Sequence, residues 1–144
     1  MTGQNIVITG ASEGIGKALA WEMASRGYNL GLTSRRESVL VKLKLEIQAK
    51  YPNLLICVAA LDVSQFSDIE SVLSQLRSEM GSIDILVANA GIAKSGRVGV
   101  MPLEDQLDVI NINLSGAIAT VSAGVTLFRE QGYGHLVATS SIAG

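Results

Sequence analysis

The sequence predicts an α/β protein built on a doubly wound parallel sheet. Five short apolar runs alternate regularly with longer amphipathic ones along the 144 residues. The short runs are apolar at successive positions, as strands buried on both faces are. Hydrophobic residues make up 48% of the chain and aromatics only 4%, with 15 glycines. That balance suits a core of Val, Ile, Leu and Ala, with glycine reserved for special backbone positions.

Asn5–Thr9 (NIVIT) reads as the first strand and Lys17–Arg26 as the first helix. Asn29–Thr33 (NLGLT) is the second strand. Ser38–Lys50 carries apolar residues at helical spacing and is terminated by Pro52. Leu54–Leu61 is the third strand, Asp68–Met80 the third helix and Ile83–Ala88 the fourth strand. A glycine-rich loop, Gly91–Gly99, leads to Pro102, which opens a long helix running to about Glu130. His135–Ser140 is the fifth strand. Right-handed crossovers place the helices on both faces of a sheet ordered 3-2-1-4-5. A ligand then belongs where the order reverses, between the first and fourth strands. No repeat, linker or low-complexity tract divides residues 1–144, which read as one domain.

Charge and cysteine content narrow the function. A net charge of -2 supplies no basic field for nucleic acid. The single cysteine, Cys57, has no internal disulfide partner, which fits a reducing compartment. The N-terminal MTGQNIVITG lacks the charged and apolar regions of a signal peptide. The apolar stretch 114–128 is short for a bilayer span. These readings predict a cytoplasmic protein with no membrane or nucleic-acid partner.

The first strand runs into Thr9-Gly10-Ala11-Ser12-Glu13-Gly14-Ile15-Gly16. Glycines here let the backbone turn tightly and approach a phosphate, which the N–H groups and positive dipole end of the next helix then receive. A strand–turn–helix junction needing glycines for packing alone would look similar. Four further motifs decide between the two: LDV at Leu61–Val63, ANAG at Ala88–Gly91, NLSG at Asn113–Gly116 and SSIAG at Ser140–Gly144. In this order, and with this placement on strands and helices, the whole chain resembles the short-chain dehydrogenase/reductase family. The resemblance implies a Rossmann fold and hydride transfer between a nicotinamide cofactor and a small-molecule carbonyl or alcohol. An epimerase or dehydratase on the same fold would keep the cofactor motifs and change the substrate pocket.

The resemblance assigns Gly10, Ser12, Glu13, Gly14, Ile15 and Gly16 to the pyrophosphate loop. The second strand ends at Ser34-Arg35-Arg36, where members using NAD carry an acidic residue for the ribose hydroxyls. A carboxylate would repel a 2′-phosphate and a guanidinium binds one bidentately, so NADP(H) is the expected cofactor, with Ser34, Arg35 and Arg36 at its phosphate. Arginines capping a surface turn are the plainer alternative. Glu13 stands where many NADP-binding relatives place a basic residue, which leaves the phosphate site half equipped. Asp62 and Val63 match the pair that contacts adenine, although Asp62 also suits a helix cap. Asn89, Ala90 and Gly91 follow the fourth strand beside the nicotinamide ribose. Ala88 replaces a second asparagine that usually braces the sheet.

Asn113 matches the family's helical asparagine, which holds a water in the proton relay, and Asn111 reads as solvent-facing. Ser141, three residues before Gly144, matches the serine that hydrogen-bonds the reacting oxygen. His135 lies six residues upstream on the same strand, about 20 Å away at about 3.3 Å per residue, so a Ser–His–Asp hydrolase is disfavoured. The family's acid is a tyrosine with a lysine four positions on. Tyr28, Tyr51 and Tyr133 are followed at that spacing by Leu32, Leu55 and Val137. The expectation is therefore an incomplete domain, with the C-terminal part of the fold missing. On this reading the 144 residues bind cofactor weakly without turnover, and the complete protein is an oxidoreductase and a homo-oligomer, dimer or tetramer. A nucleotide-binding remnant or module without catalysis is the alternative.

Overall fold

The computed structural model describes residues 3–97 and 99–141. Five parallel strands, β1 (Asn5–Thr9), β2 (Asn29–Ser34), β3 (Ile56–Ala60), β4 (Ile85–Ala88) and β5 (His135–Ala138), form one sheet ordered β3-β2-β1-β4-β5. The helices between them are α1 (Gly14–Ser25), α2 (Glu37–Lys50), α3 (Phe66–Met80), α4 (Leu103–Ile110) and α5 (Ala117–Gln131).

Strand periodicity divides the core into two layers. Ile6, Ile8, Leu30, Leu32, Ile56 and Val87 point to one face and pack with Ala20, Ala24, Leu40, Leu43 and Ile47 of α1 and α2. Val7, Cys57, Ala59 and Leu86 point to the other and pack with Ile69, Leu73 and Leu76 of α3 and Ala123, Leu127 and Phe128 of α5. Each fully buried Leu or Ile contributes about 1.5–3 kcal/mol relative to exposure. Gly31 is small for a packing reason, since a Cβ there would lie 2.8 Å from Val7 Cγ2 and 3.1 Å from Met80 Sδ. Burial pushes the Cys57 thiol up to about 11, with a hydrogen bond to Glu79 adding to the effect. At mildly alkaline pH the group therefore stays a thiol, and the thiol is the weak nucleophile. Iodoacetamide should leave Cys57 unlabelled in the folded protein near pH 8 and label it in urea, with mass spectrometry as the readout. Full labelling without urea would contradict its burial.

The sequence-based boundaries shift at several ends. The first helix starts at Gly14 rather than Lys17, so its first turn is the glycine loop itself. β3 is shorter than expected because Leu54 bonds back to Tyr51 in a turn, and Leu55 receives its partner from the Asn29 side chain. β4 begins at Ile85, since both backbone groups of Ile83 are held by the Gln131 carboxamide. β5 stops at Ala138, which leaves Ser140 beyond the strand.

The largest difference lies in the long helix. It is not one regular α-helix, because a π-helical segment, Asn111–Gly116, separates α4 from α5. π-Bulges insert a residue into a turn and concentrate at functional sites. The helical run Leu103–Gln131 spans 29 residues, and by length and composition alone it is long and apolar enough to cross a membrane. This differs from the sequence-based view of residues 114–128 as a short apolar stretch. Its Ile112, Thr120, Ala123, Leu127 and Phe128 are buried, whereas Leu103, Leu107, Ile110, Leu114 and Ile118 form an exposed stripe at helical spacing.

Candidate cofactor and substrate cleft

The C-terminal ends of the five strands open into a cleft of about 700 Å³. Gly10, Ser12, Glu13, Gly14 and Ile15 line one wall, Ser34, Arg35 and Arg36 the next, and Asp62 and Val63 a third. Asn89, Ala90, Gly91 and Asn113 form the side beyond β1, with Ser140 and Ser141 at the far end. The structure thus brings together segments from along the whole chain. Among the sequence-predicted residues only Gly16 does not line the cleft. Gly144 and the rest of 142–144 in the Ser-x-x-Gly motif lie outside the described residues.

Gly16 has a different task. A Cβ there would fall inside contact distance of the Gly10 carbonyl oxygen and 2.6 Å from Asn89 Nδ2. The helix must pack that closely for the loop to close over β1. Gly10, at φ 68°, and Gly14, at φ 56°, adopt left-handed backbone conformations that glycine takes without strain. A Cβ on Gly10 would also lie 2.6 Å from the Ala90 Cα. α1 begins without a side-chain cap and with no acid in its first turn. The N–H groups of its first turn therefore face the cleft without an intrahelical partner, an arrangement suited to an anion. Glycine conformation, close helix approach and cleft size together fit a dinucleotide.

Threonine 9 organises the floor. Its hydroxyl donates to the Val87 carbonyl at 3.2 Å and accepts the Asn89 and Ala90 N–H groups at 3.0 and 3.1 Å. Asn89 Nδ2 donates to the carbonyls of Thr9 and Gly10, and Thr139 Oγ1 donates to Asn89 Oδ1 at 3.0 Å. Three strand ends and the glycine loop are thereby joined. This chain braces its sheet through Thr9, Asn89 and Thr139, despite the alanine at position 88.

Asn113 sits in the π-helical segment and turns its carboxamide towards the loop after β4. Its Oδ1 accepts the Ile92 N–H and its Nδ2 donates to the Ile92 carbonyl, both at 2.8 Å. An asparagine inside a helix competes for its own backbone, but here it has found a neighbouring segment instead. Lys94 fastens the same loop to α4 through Asp105 at 2.6 Å and Asp108 at 2.9 Å. Those two hydrogen bonds, Asp105 first, hold the Lys94 ammonium above its usual range. Asn111 is exposed, as expected.

Asp62 does not cap α3. Its Oδ1 accepts the Ser64 N–H and hydroxyl at 2.9 and 2.7 Å, while Gln65 precedes the helix without a side-chain cap. Ser34 Oγ accepts the Arg36 N–H at 3.2 Å, which shapes the turn after β2. Arg36 Nη2 then reaches Glu13 Oε2 at 2.9 Å across the cleft mouth, whereas Arg35 is exposed with no ion pair among the described residues. His135 lies exposed at the entrance of β5, away from the cleft. Sequence reasoning missed Leu61, Ile92, Ala93, Ile112 and Thr139 as lining residues. Leu61 opens the LDV motif itself, while Ile92 and Ile112 adjoin motif residues, so adjacency was the only signal for those two.

Comparison with known proteins places this cleft in context. The short chain dehydrogenase profile matches residues 4–144. An uncharacterized oxidoreductase of Mycobacterium tuberculosis is 39% identical over 144 residues, covering 100% of this chain and 57% of the relative. An alcohol dehydrogenase from Thermococcus sibiricus complexed with 5-hydroxy-NADP superposes with a TM-score of 0.85 at 33% identity, over 95% of this chain and 58% of that one. A NAD+-bound xylitol dehydrogenase gives a TM-score of 0.91 at 28% identity, over 99% and 55%. The chain thus spans a little over half the length of these relatives. With its parallel sheet, glycine loop and strand-end cleft, the chain belongs to the short-chain dehydrogenase family of oxidoreductases.

Proposed function

We propose that residues 1–144 form the nucleotide-binding domain of an NADP(H)-dependent oxidoreductase acting on a small carbonyl or alcohol compound. The observation that carries the cofactor choice is the turn after β2. It presents Ser34 and Arg35 to the cleft with no carboxylate at the strand end. A guanidinium there favours a 2′-phosphate, which a carboxylate would repel. When bound, the nicotinamide would supply or accept the hydride.

The chain's own residues would do the following. Gly10, Ser12, Gly14, Ile15 and the start of α1 receive the pyrophosphate, with Gly16 keeping the helix close. Asp62 and Val63 meet the adenine. Asn89, Ala90 and Gly91 flank the nicotinamide ribose. Ser141 donates a hydrogen bond to the reacting oxygen, and Asn113 holds the loop beside it. A cytoplasmic homo-oligomer is the matching setting, with the exposed stripe on α4 and α5 available for subunit pairing.

For the 144 residues taken by themselves, a nucleotide-binding module without catalysis is the second reading. None of Tyr28, Tyr51 and Tyr133 has a lysine four residues on, and among the described residues neither a tyrosine nor a lysine lines the cleft. Titration with NADP+ and NAD+ tests the cofactor choice. Arg35→Ala should weaken NADP+ binding about tenfold and leave NAD+ unaffected, as loss of one charge-assisted phosphate contact implies. Equal wild-type affinities for the two nucleotides would remove the argument. NADPH oxidation with a panel of ketones separates enzyme from module, since the 144 residues alone are expected to bind without turnover.

A further inference from the structure

One contact in the cleft opposes the anion chemistry of its neighbours. Glu13 ends the glycine loop and Arg36 ends the turn after β2, yet the Glu13 carboxylate and Arg36 guanidinium meet 2.9 Å apart across the cleft mouth. Both side chains are largely exposed, at 79% and 56%, so the pair adds little to stability. Its position gives it another consequence. Ser34, Arg35 and Arg36 line the same end of the cleft, and of the two guanidiniums only Arg35 has no ion pair among the described residues.

We propose that Glu13 acts as an internal anion at the 2′-phosphate end of the cleft: it occupies Arg36, lowers affinity for NADP(H), and leaves affinity for NAD(H) untouched. The inference rests on the NADP(H) reading above and deepens it. A phosphate arriving beside Ser34 and Arg35 must displace the carboxylate from Arg36 or bind with Arg35 alone. In either case it lies near a second negative charge. A 2′-hydroxyl carries no charge and meets neither obstacle. Selectivity between the two nucleotides is therefore set by Arg35 together with the contest between Glu13 and the phosphate for Arg36. Because the contest takes place between exposed charges, added salt weakens it.

The test is nucleotide titration by calorimetry on wild type, Glu13→Gln, Arg35→Ala, and Glu13→Gln combined with Arg36→Ala, with thermal melts checking that each is folded. Glu13→Gln should bind NADP+ about five- to tenfold more tightly than wild type at low salt, as removal of a close, partly screened like charge implies. NAD+ affinity should stay within about twofold. Adding Arg36→Ala should erase the gain, and high salt should shrink it. The pair adenosine 2′,5′-bisphosphate and adenosine 5′-monophosphate should reproduce the contrast without the nicotinamide. Unchanged NADP+ binding in Glu13→Gln, or equal tightening of both nucleotides, overturns the proposal while leaving the NADP(H) reading intact. A wild-type preference insensitive to Arg35→Ala overturns that reading itself.

Discussion

Gly16→Ala is expected to abolish measurable nucleotide binding and to lower the melting temperature by about 5–10 °C, from about 2–3 kcal/mol of overpacking. The added methyl has nowhere to go. It meets the Gly10 carbonyl oxygen on one side and Asn89 Nδ2, at 2.6 Å, on the other. Moving either neighbour has consequences beyond the clash. Gly10 anchors the loop through its own left-handed conformation, and Asn89 holds the carbonyls of Thr9 and Gly10 and accepts from Thr139. Relief by shifting α1 outward would withdraw the helix N-terminus from the cleft. Stability and affinity should therefore fall together, measured by thermal melts and NADP+ titration. A variant that melts like wild type and still binds nucleotide would show that the close approach of α1 to β1 is dispensable.

The second large effect separates two threonines that are neighbours in register on β1 and β2, Thr9 and Thr33. Both are buried, at 1% and 0% exposure. Replaced by isosteric valine, Thr9 should cost about 2–4 kcal/mol, because the N–H groups of Asn89 and Ala90 lose their acceptor inside the floor of the cleft. Thr33 should cost nothing and could add up to about 1 kcal/mol, since its hydroxyl is buried with no hydrogen-bond partner among the described residues. Urea denaturation of both variants gives the comparison directly, read as midpoint shifts at constant slope. Thr9→Ser should restore most of the loss. Equal destabilisation by the two valines would mean that the floor network carries no special weight.

Much of this molecule was legible before its structure. The five apolar runs became the five strands in the expected order, because a strand buried on both faces leaves a local signal of successive apolar residues. The glycine loop, the turn at Ser34-Arg35-Arg36 and the serines after β5 fell at one cleft because right-handed βαβ crossovers bring every strand's C-terminal end to the same edge. The helix after Pro102 was harder to read. Its apolar spacing passes through Asn111–Gly116 without interruption, and the break is accompanied by the hydrogen bonds between Asn113 and Ile92. Asp62 was similarly ambiguous, since an aspartate ahead of a helix can cap it or, as here, close a turn onto Ser64.

By itself, the sequence determined the alternation of elements, the parallel sheet, the edge at which a ligand belongs and the residue types gathered there. Each follows from periodicities of two to four residues and from glycines whose backbone demands are local. Tertiary structure alone decided how those residues are spent. It put Glu13 on Arg36 across 23 positions and Thr9 on Asn89 across 80. It also gave Gly16 a packing role instead of a place in the lining. Such contacts depend on where two separate turns meet in space, and charge pairing and hydrogen bonding leave no periodic trace along a chain. That is why Glu13, Arg35 and Arg36 could each be read from the chain, while the ion pair between Glu13 and Arg36 took shape only in the fold.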